Sequence, residues 1–172
     1  MAKPFEQVMF YDPELRDTAT NWVLEDPVKR ASFAIGTLAY LEGAVQEFHD
    51  VKLLIVNTHG TPGYIFLGDK TPLLAGQFAT IAAKNPKLLS IDAEILFLGC
   101  NVGEGIPGEV FLDGIATALL QGKGGTVAAA TSATYDTGAD YGVLPPWGKL
   151  KKYRYSSTGK RIGVAFKGSL SP

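Results

Sequence analysis

The chain of 172 residues is 46% hydrophobic and 19% charged, with a formal net charge of −1. That is the composition of a folded globular domain and excludes a disordered segment; a chain of this length buries roughly two-thirds of its unfolded surface without a disulfide or metal staple. One cysteine, Cys100, excludes an internal disulfide, and with His49 and His59 as the only histidines there is no Cys/His cluster for zinc, so neither a metal nor a cofactor is expected.

The sequence lacks an apolar run of about 18 residues, so no membrane contact is expected. The start, Met-Ala-Lys-Pro-Phe-Glu-Gln, has no apolar signal core, and the expected location is cytoplasmic, with export by another route left open. Charge is unevenly spread. Residues 1–144 carry 9 basic and 17 acidic side chains, whereas residues 145–172 carry 7 basic and none acidic. The leading reading is a solvated strand pair whose lysines protect a sheet edge. Docking of the basic tail on the acidic body or on another chain is the second. Nucleic-acid binding is not expected, because the chain as a whole is not basic.

Along the chain, Gln7-Val-Met-Phe-Tyr11 is a candidate strand. Residues 28–48 place Phe33, Ala34, Leu38, Leu41, Ala44 and Val45 at helical spacing. Residues 51–57 form a nearly continuous apolar run, read as a strand buried on both faces. His59-Gly-Thr-Pro-Gly63 then predicts a turn, and Tyr64-Ile-Phe-Leu-Gly-Asp69 a short strand or hairpin. Residues 73–84 predict a helix with Pro72 at its first turn. A second buried strand is predicted over 93–99, a helix over 109–120 stopped by Gly122, and a third strand over 126–131. Residues 132–148 have no clear period and read as a long loop. Residues 149–155 and 161–167 flank Ser156-Ser-Thr-Gly-Lys160 as a β-hairpin. Strands alternating with helices predict one α/β domain over residues 1–172, a three-layer sandwich with a mostly parallel central sheet and a C-terminal β-hairpin.

Two residues stand out. His59 follows the first long strand and Cys100 the second. In an open parallel sheet ligands bind beyond the carboxyl ends of the strands, and neighbouring strands are about 4.8 Å apart, so an imidazole and a thiol just past two such ends can meet. A cysteine nucleophile needs thiolate character, which an imidazole or a helix N-terminus supplies. Glycine beside each residue lets a substrate approach the backbone closely, and the amides of Gly60 and Cys100 are candidate oxyanion donors. Other candidates read as structure: His49 as a helix-end residue, and Glu104 and Glu109 as acids at the N-terminus of the next helix. Asp136 and Asp140 read as solvated loop residues, and Tyr135 and Trp147 as either cleft walls or core.

Asn57-Thr-His-Gly-Thr-Pro-Gly-Tyr-Ile-Phe-Leu-Gly68 resembles the His-Gly segment of caspase-like cysteine peptidases, closest to the bacterial branch that includes the CHAT domains. Ile95-Leu-Phe-Leu-Gly-Cys-Asn-Val-Gly-Glu-Gly105 resembles the Gly-Cys segment of the same group. Residues 126–134 resemble the strand whose exit lines the primary specificity pocket. The resemblance implies a caspase-hemoglobinase fold and a cysteine endopeptidase acting on a peptide or protein substrate through a thioester acyl-enzyme. It implies His59 as general base or imidazolium partner, Cys100 as nucleophile, Gly60 and Cys100 at the oxyanion hole, and Ser132, Ala133, Thr134, Tyr135 and Asp136 at the substrate pocket. No third catalytic residue is assigned. The alternatives are a catalytically silent relative that binds a peptide or protein in the same groove, and a cysteine-dependent amide hydrolase acting on a small molecule.

Overall fold

The computed structural model describes residues 5–131 and 150–167, with residues 164–167 described by backbone alone. Strand β1 (Gln7–Tyr11) runs through a 3-10 turn (Pro13–Leu15) into helix α1 (Arg16–Glu25). Strand β2 (Arg30–Ala34), helix α2 (Leu38–Glu47) and strand β3 (Val51–Asn57) follow. Three short strands, β4 (His59–Thr61), β5 (Tyr64–Phe66) and β6 (Pro72–Leu73), precede helix α3 (Gln77–Ala83). Strand β7 (Leu89–Phe97), helix α4 (Gly105–Leu119) and strand β8 (Gly125–Ala130) continue the alternation, and β9 (Leu150–Tyr155) pairs with β10 (Arg161–Lys167).

Among the described residues the main sheet has seven strands in the order β10-β9-β8-β7-β3-β1-β2. Strands β2, β1, β3, β7 and β8 are parallel; β9 and β10 add an antiparallel hairpin at the β8 edge. The strands alternate side chains between two apolar clusters, as a period of two requires. Val8 and Phe10, Leu54 and Val56, Ile95 and Phe97, and Val127 and Ala129 face α2, α3 and α4. Met9, Ile55, Leu96, Leu98, Ala128 and Ala130 face Ala19 and Trp22 of α1. The protein is therefore an α/β fold with a mostly parallel sheet and helices on both faces. Fully buried Phe97 locks the larger face, edge-on to Phe78 at 6.1 Å and to Phe111 at 4.9 Å.

Four predicted elements need correction, the first being the second long strand, which begins at Leu89 and ends at Phe97 instead of spanning 93–99. Residues 28–48 are not one helix: β2 occupies their first part, and α2 begins at Leu38 behind the Thr37 cap, whose side chain accepts from the Tyr40 amide. The strand is held by parallel pairing with β1 and by Arg30, which donates to Gln7 and to the Trp22 carbonyl and lies over the Trp22 ring. Pro72 belongs to β6, so α3 starts only at Gln77. Helix α4 starts at Gly105, four residues before the predicted start, with Pro107 inside its first turn.

The C-terminal strands do form a sheet edge, with β10 outermost, and where their side chains are described most of the basic ones pair with the acidic body, as the docking alternative expects. Lys151 lies 3.5 Å from Glu109, Lys152 2.9 Å from Glu94, Arg154 2.8 Å from Asp92 and Arg161 2.6 Å from Asp113. Glu109 does not serve the helix dipole as predicted; it accepts from the Tyr153 hydroxyl at 3.0 Å. Tyr155, buried, donates to Asp113 at 2.6 Å. Burial first, and the Asp113 carboxylate second, push the Tyr155 phenol well above its ordinary range, and the same two kinds of cause raise Tyr153. A raised folded-state pKa gives stability that is complete below the unfolded phenol's pKa and lost as pH climbs through the folded one. From about pH 10 upward, each such proton should lower the unfolding free energy by up to about 1.4 kcal/mol per pH unit. Tyr155→Phe should flatten that slope, leaving the share of Tyr153. Urea unfolding at several alkaline pH values checks this.

Candidate active site

The parallel strands order themselves by chain position as second, first, third, fourth, fifth: β2-β1-β3-β7-β8. Connections leave β1 and β3 in opposite directions, which makes their carboxyl ends the topological switch point, where open α/β sheets hold ligands. Registers are level there: Tyr11 pairs with Asn57, and Val56 with Phe97. The next residues on each strand are Asp12, Thr58 and Leu98. The rim thus receives Asp12 and Glu14 from β1, His59 from β3 and Cys100 from β7.

His59 is half exposed, and its Nε2 lies 3.1 Å from Glu14 Oε2. Lys70 Nζ approaches the other carboxylate oxygen of Glu14 at 3.6 Å. The hydrogen bond from His59, then the charge of Lys70, hold the Glu14 carboxyl below its ordinary range. An ionised carboxylate only accepts, so Nε2 carries the proton of the neutral ring, and Nδ1 keeps its lone pair. Glu14 therefore sets the tautomer that a base acting through Nδ1 needs. Sequence reading assigned no third residue. Its available signal was Asp12-Pro-Glu14, a polar turn just past an apolar strand.

Backbone contact joins the histidine and cysteine segments. A Cβ on Gly60 would lie 2.3 Å from Val102 Cγ2 and 3.3 Å from the Gly99 Cα, and one on Gly99 would lie 3.1 Å from the Thr58 carbonyl oxygen. Only glycine at both positions lets the two segments touch. Cys100, partly exposed, sits in the turn that Asn101 completes with φ +57°, a value asparagine tolerates. The loop is then pinned by Gly103 N–H donating to the Ala130 carbonyl at 2.8 Å and Gly63 N–H to the Val102 carbonyl at 3.1 Å. Pro62 and Gly63 (φ +90°) turn β4 into β5. The closing pair of such a two-residue hairpin, Thr61–Tyr64, exchanges hydrogen bonds. Alternation then makes Gly60–Ile65 a non-bonded pair and turns the Gly60 N–H away from β5.

The profile of a domain of unknown function, DUF4347, matches residues 32–148, well over half of the chain. The chain belongs to the DUF4347 family. No curated protein matches it. The DUF4347 match includes His59 and Cys100 and begins after Asp12 and Glu14.

In this DUF4347 protein an apolar groove of about 620 Å³ flanks the β4–β5 turn, walled by Pro62, Tyr64, Leu74, Ile106, Pro107 and Val110. Leu74, Ile106 and Val110 are each more than half exposed, and sequence reading did not single out Leu74 or Ile106. Glu104 caps α4 as a backbone position only, with no side-chain bond to the helix. His49 lies just past α2 and pairs with Asp50 at 2.8 Å, as a helix-end residue would. Ser132, Ala133, Thr134, Tyr135, Asp136, Asp140 and Trp147 lie outside the described residues.

Proposed function

We propose that this protein is a caspase-like cysteine endopeptidase of the caspase-hemoglobinase fold, working through His59 and Cys100. The observation that carries the reading is the backbone contact of Gly60 with Gly99. It brings the backbones of the segments that carry a half-exposed imidazole and a partly exposed thiol into contact at the carboxyl ends of β3 and β7, next to the switch point. In this reading Nδ1 of His59 takes the Cys100 thiol proton, and Sγ attacks the scissile carbonyl carbon. The oxyanion is held by the N–H of Gly60 and of Cys100. Imidazolium returns its proton to the leaving amine as the C–N bond breaks, leaving a thioester. Water, deprotonated by the same nitrogen, then releases the carboxylic acid and the thiol. The side chain selected for cleavage would enter the pocket assigned to Ser132, Ala133, Thr134, Tyr135 and Asp136.

The test is labelling with iodoacetamide and with a peptide electrophile, located by mass spectrometry. Cys100 should react faster than free cysteine at neutral pH and slow on His59→Ala. Reaction at the rate of an ordinary thiol, unchanged by His59→Ala, overturns the reading. Glu14→Gln should lower kcat/KM by no more than about tenfold, because an exposed carboxylate–imidazole pair orients the ring but is well screened by water. Steady-state kinetics across pH measure it; a loss as large as that of Cys100→Ala would place Glu14 in the bond-making step.

The exposed apolar groove favours a second reading, a catalytically silent domain that binds a peptide or protein there. Peptide binding that is unaffected by Cys100→Ala, in a protein whose thiol is unreactive, would select it.

A further inference from the structure

Asp12 is fully buried, and its Oδ2 has no hydrogen-bond partner. The other oxygen, Oδ1, accepts from the Glu14 N–H at 2.9 Å and so caps the 3-10 turn. A buried carboxylate oxygen left unpaired is costly and calls for a partner. The Asp12 carboxylate belongs to the rim already described: one of its oxygens, one of Glu14 and a ring nitrogen of His59 lie within 4.8 Å of one another. A second orphan lies on the neighbouring strand's end. Thr58 Oγ1 is buried without a partner, on the residue that follows the Tyr11–Asn57 pair, where the Asp12 N–H donates to the Asn57 carbonyl at 2.9 Å.

The geometry points to a divalent-cation site at the β1/β3 rim, built from Asp12, Glu14 and His59 and suited to Zn²⁺. One imidazole nitrogen and two carboxylate oxygens are a three-ligand zinc set that leaves the fourth position open. The imidazole favours zinc over Mg²⁺ and Ca²⁺, which prefer oxygen alone. Ligands on a tetrahedral zinc stand roughly 3.4 Å apart. His59 and Glu14 are already at 3.1 Å, and exposed Glu14 can rotate to close the wider gaps. Two carboxylates match the ion's charge. Lys70, an exposed partner of Glu14, is displaced at little cost, as surface pairs are weak. The absence of a Cys/His cluster pointed away from a metal; these ligands come instead from two strand ends and a turn. On the peptidase reading the ion would replace the proton on Nε2 of His59, which moves to Nδ1 and blocks the base, but the site itself does not depend on that reading.

The experiment is calorimetric titration of the full chain with ZnCl₂ in a non-chelating buffer, repeated with MgCl₂. The expected result is one Zn²⁺ per chain, bound more tightly than Mg²⁺, with affinity reduced about tenfold or more in Asp12→Asn and in Glu14→Gln and unchanged in Cys100→Ala. Glu14 is exposed and bears no weight in the core, so its variant decides the matter even where Asp12→Asn fails to fold. No zinc binding, binding that survives Glu14→Gln, binding lost with Cys100→Ala, or equal affinity for Mg²⁺ would each overturn the site. None of these readouts uses cleavage, so a failure here and a failure of the peptidase reading are told apart.

Discussion

On the peptidase reading, Cys100→Ala should reduce peptide hydrolysis by at least about a thousandfold, to the level that binding and the proposed oxyanion donors sustain alone. The substitution removes only the sulfur, on a partly exposed turn outside both apolar clusters, so thermal unfolding should barely change. His59→Ala should cost a comparable factor, and the double variant little more than either single one, because a nucleophile and its base act as a unit. Initial rates on a peptide library give all three values. Additive losses would mean that the two residues serve separate steps, contrary to the dyad.

Gly108→Ala should destabilise the fold by about 3 kcal/mol or more. A Cβ at this position would lie 2.1 Å from the carbonyl carbon of Gly103 and 2.4 Å from its oxygen. Gly103 cannot retreat: a Cβ on it would already meet the Ala129 oxygen at 2.9 Å, and its N–H is bonded to Ala130. The clash is backbone on backbone, so the first turn of α4 must part from the loop that carries Cys100. Alkylation of Cys100 in the surviving folded fraction should change with it. The control is the same substitution at Gly43 in α2, where an added Cβ meets nothing within 4 Å. There alanine should stabilise by up to about 1 kcal/mol through helix propensity. Chemical denaturation of the two variants should give opposite signs.

Much of the sheet was legible in the sequence. Strands β1 and β3 carry continuous or nearly continuous apolar runs, and both lie where the pattern places them. The C-terminal hairpin declared itself through two strand-like runs around Ser156-Ser-Thr-Gly-Lys160. Strand β2 was hidden because Arg-Ala-Ser-Phe-Ala is neutral between helix and strand. Its identity comes from pairing with β1 and from the stack of Arg30 on Trp22, both tertiary facts. At the site, His59 and Cys100 were readable because each ends a recognisable strand beside glycine. Asp12 and Glu14 were not, since an Asp-Pro-Glu turn is an ordinary helix start until the register of β1 against β3 brings it to the imidazole. The pairing of the basic tail with Glu94, Asp92, Glu109 and Asp113 was one of two options that charge counting could not separate, because only the position of β9 beside β8 decides it.

The rim draws on segments near positions 12, 59 and 100, which the pairing of β1 against β3 and of β3 against β7 brings together. Such high-contact-order pairing is slow and comes late in folding. A chain still on the ribosome, or one that has opened its central sheet, has no assembled constellation. The meeting of these three segments exists only once the parallel neighbours β1, β3 and β7 are all in place.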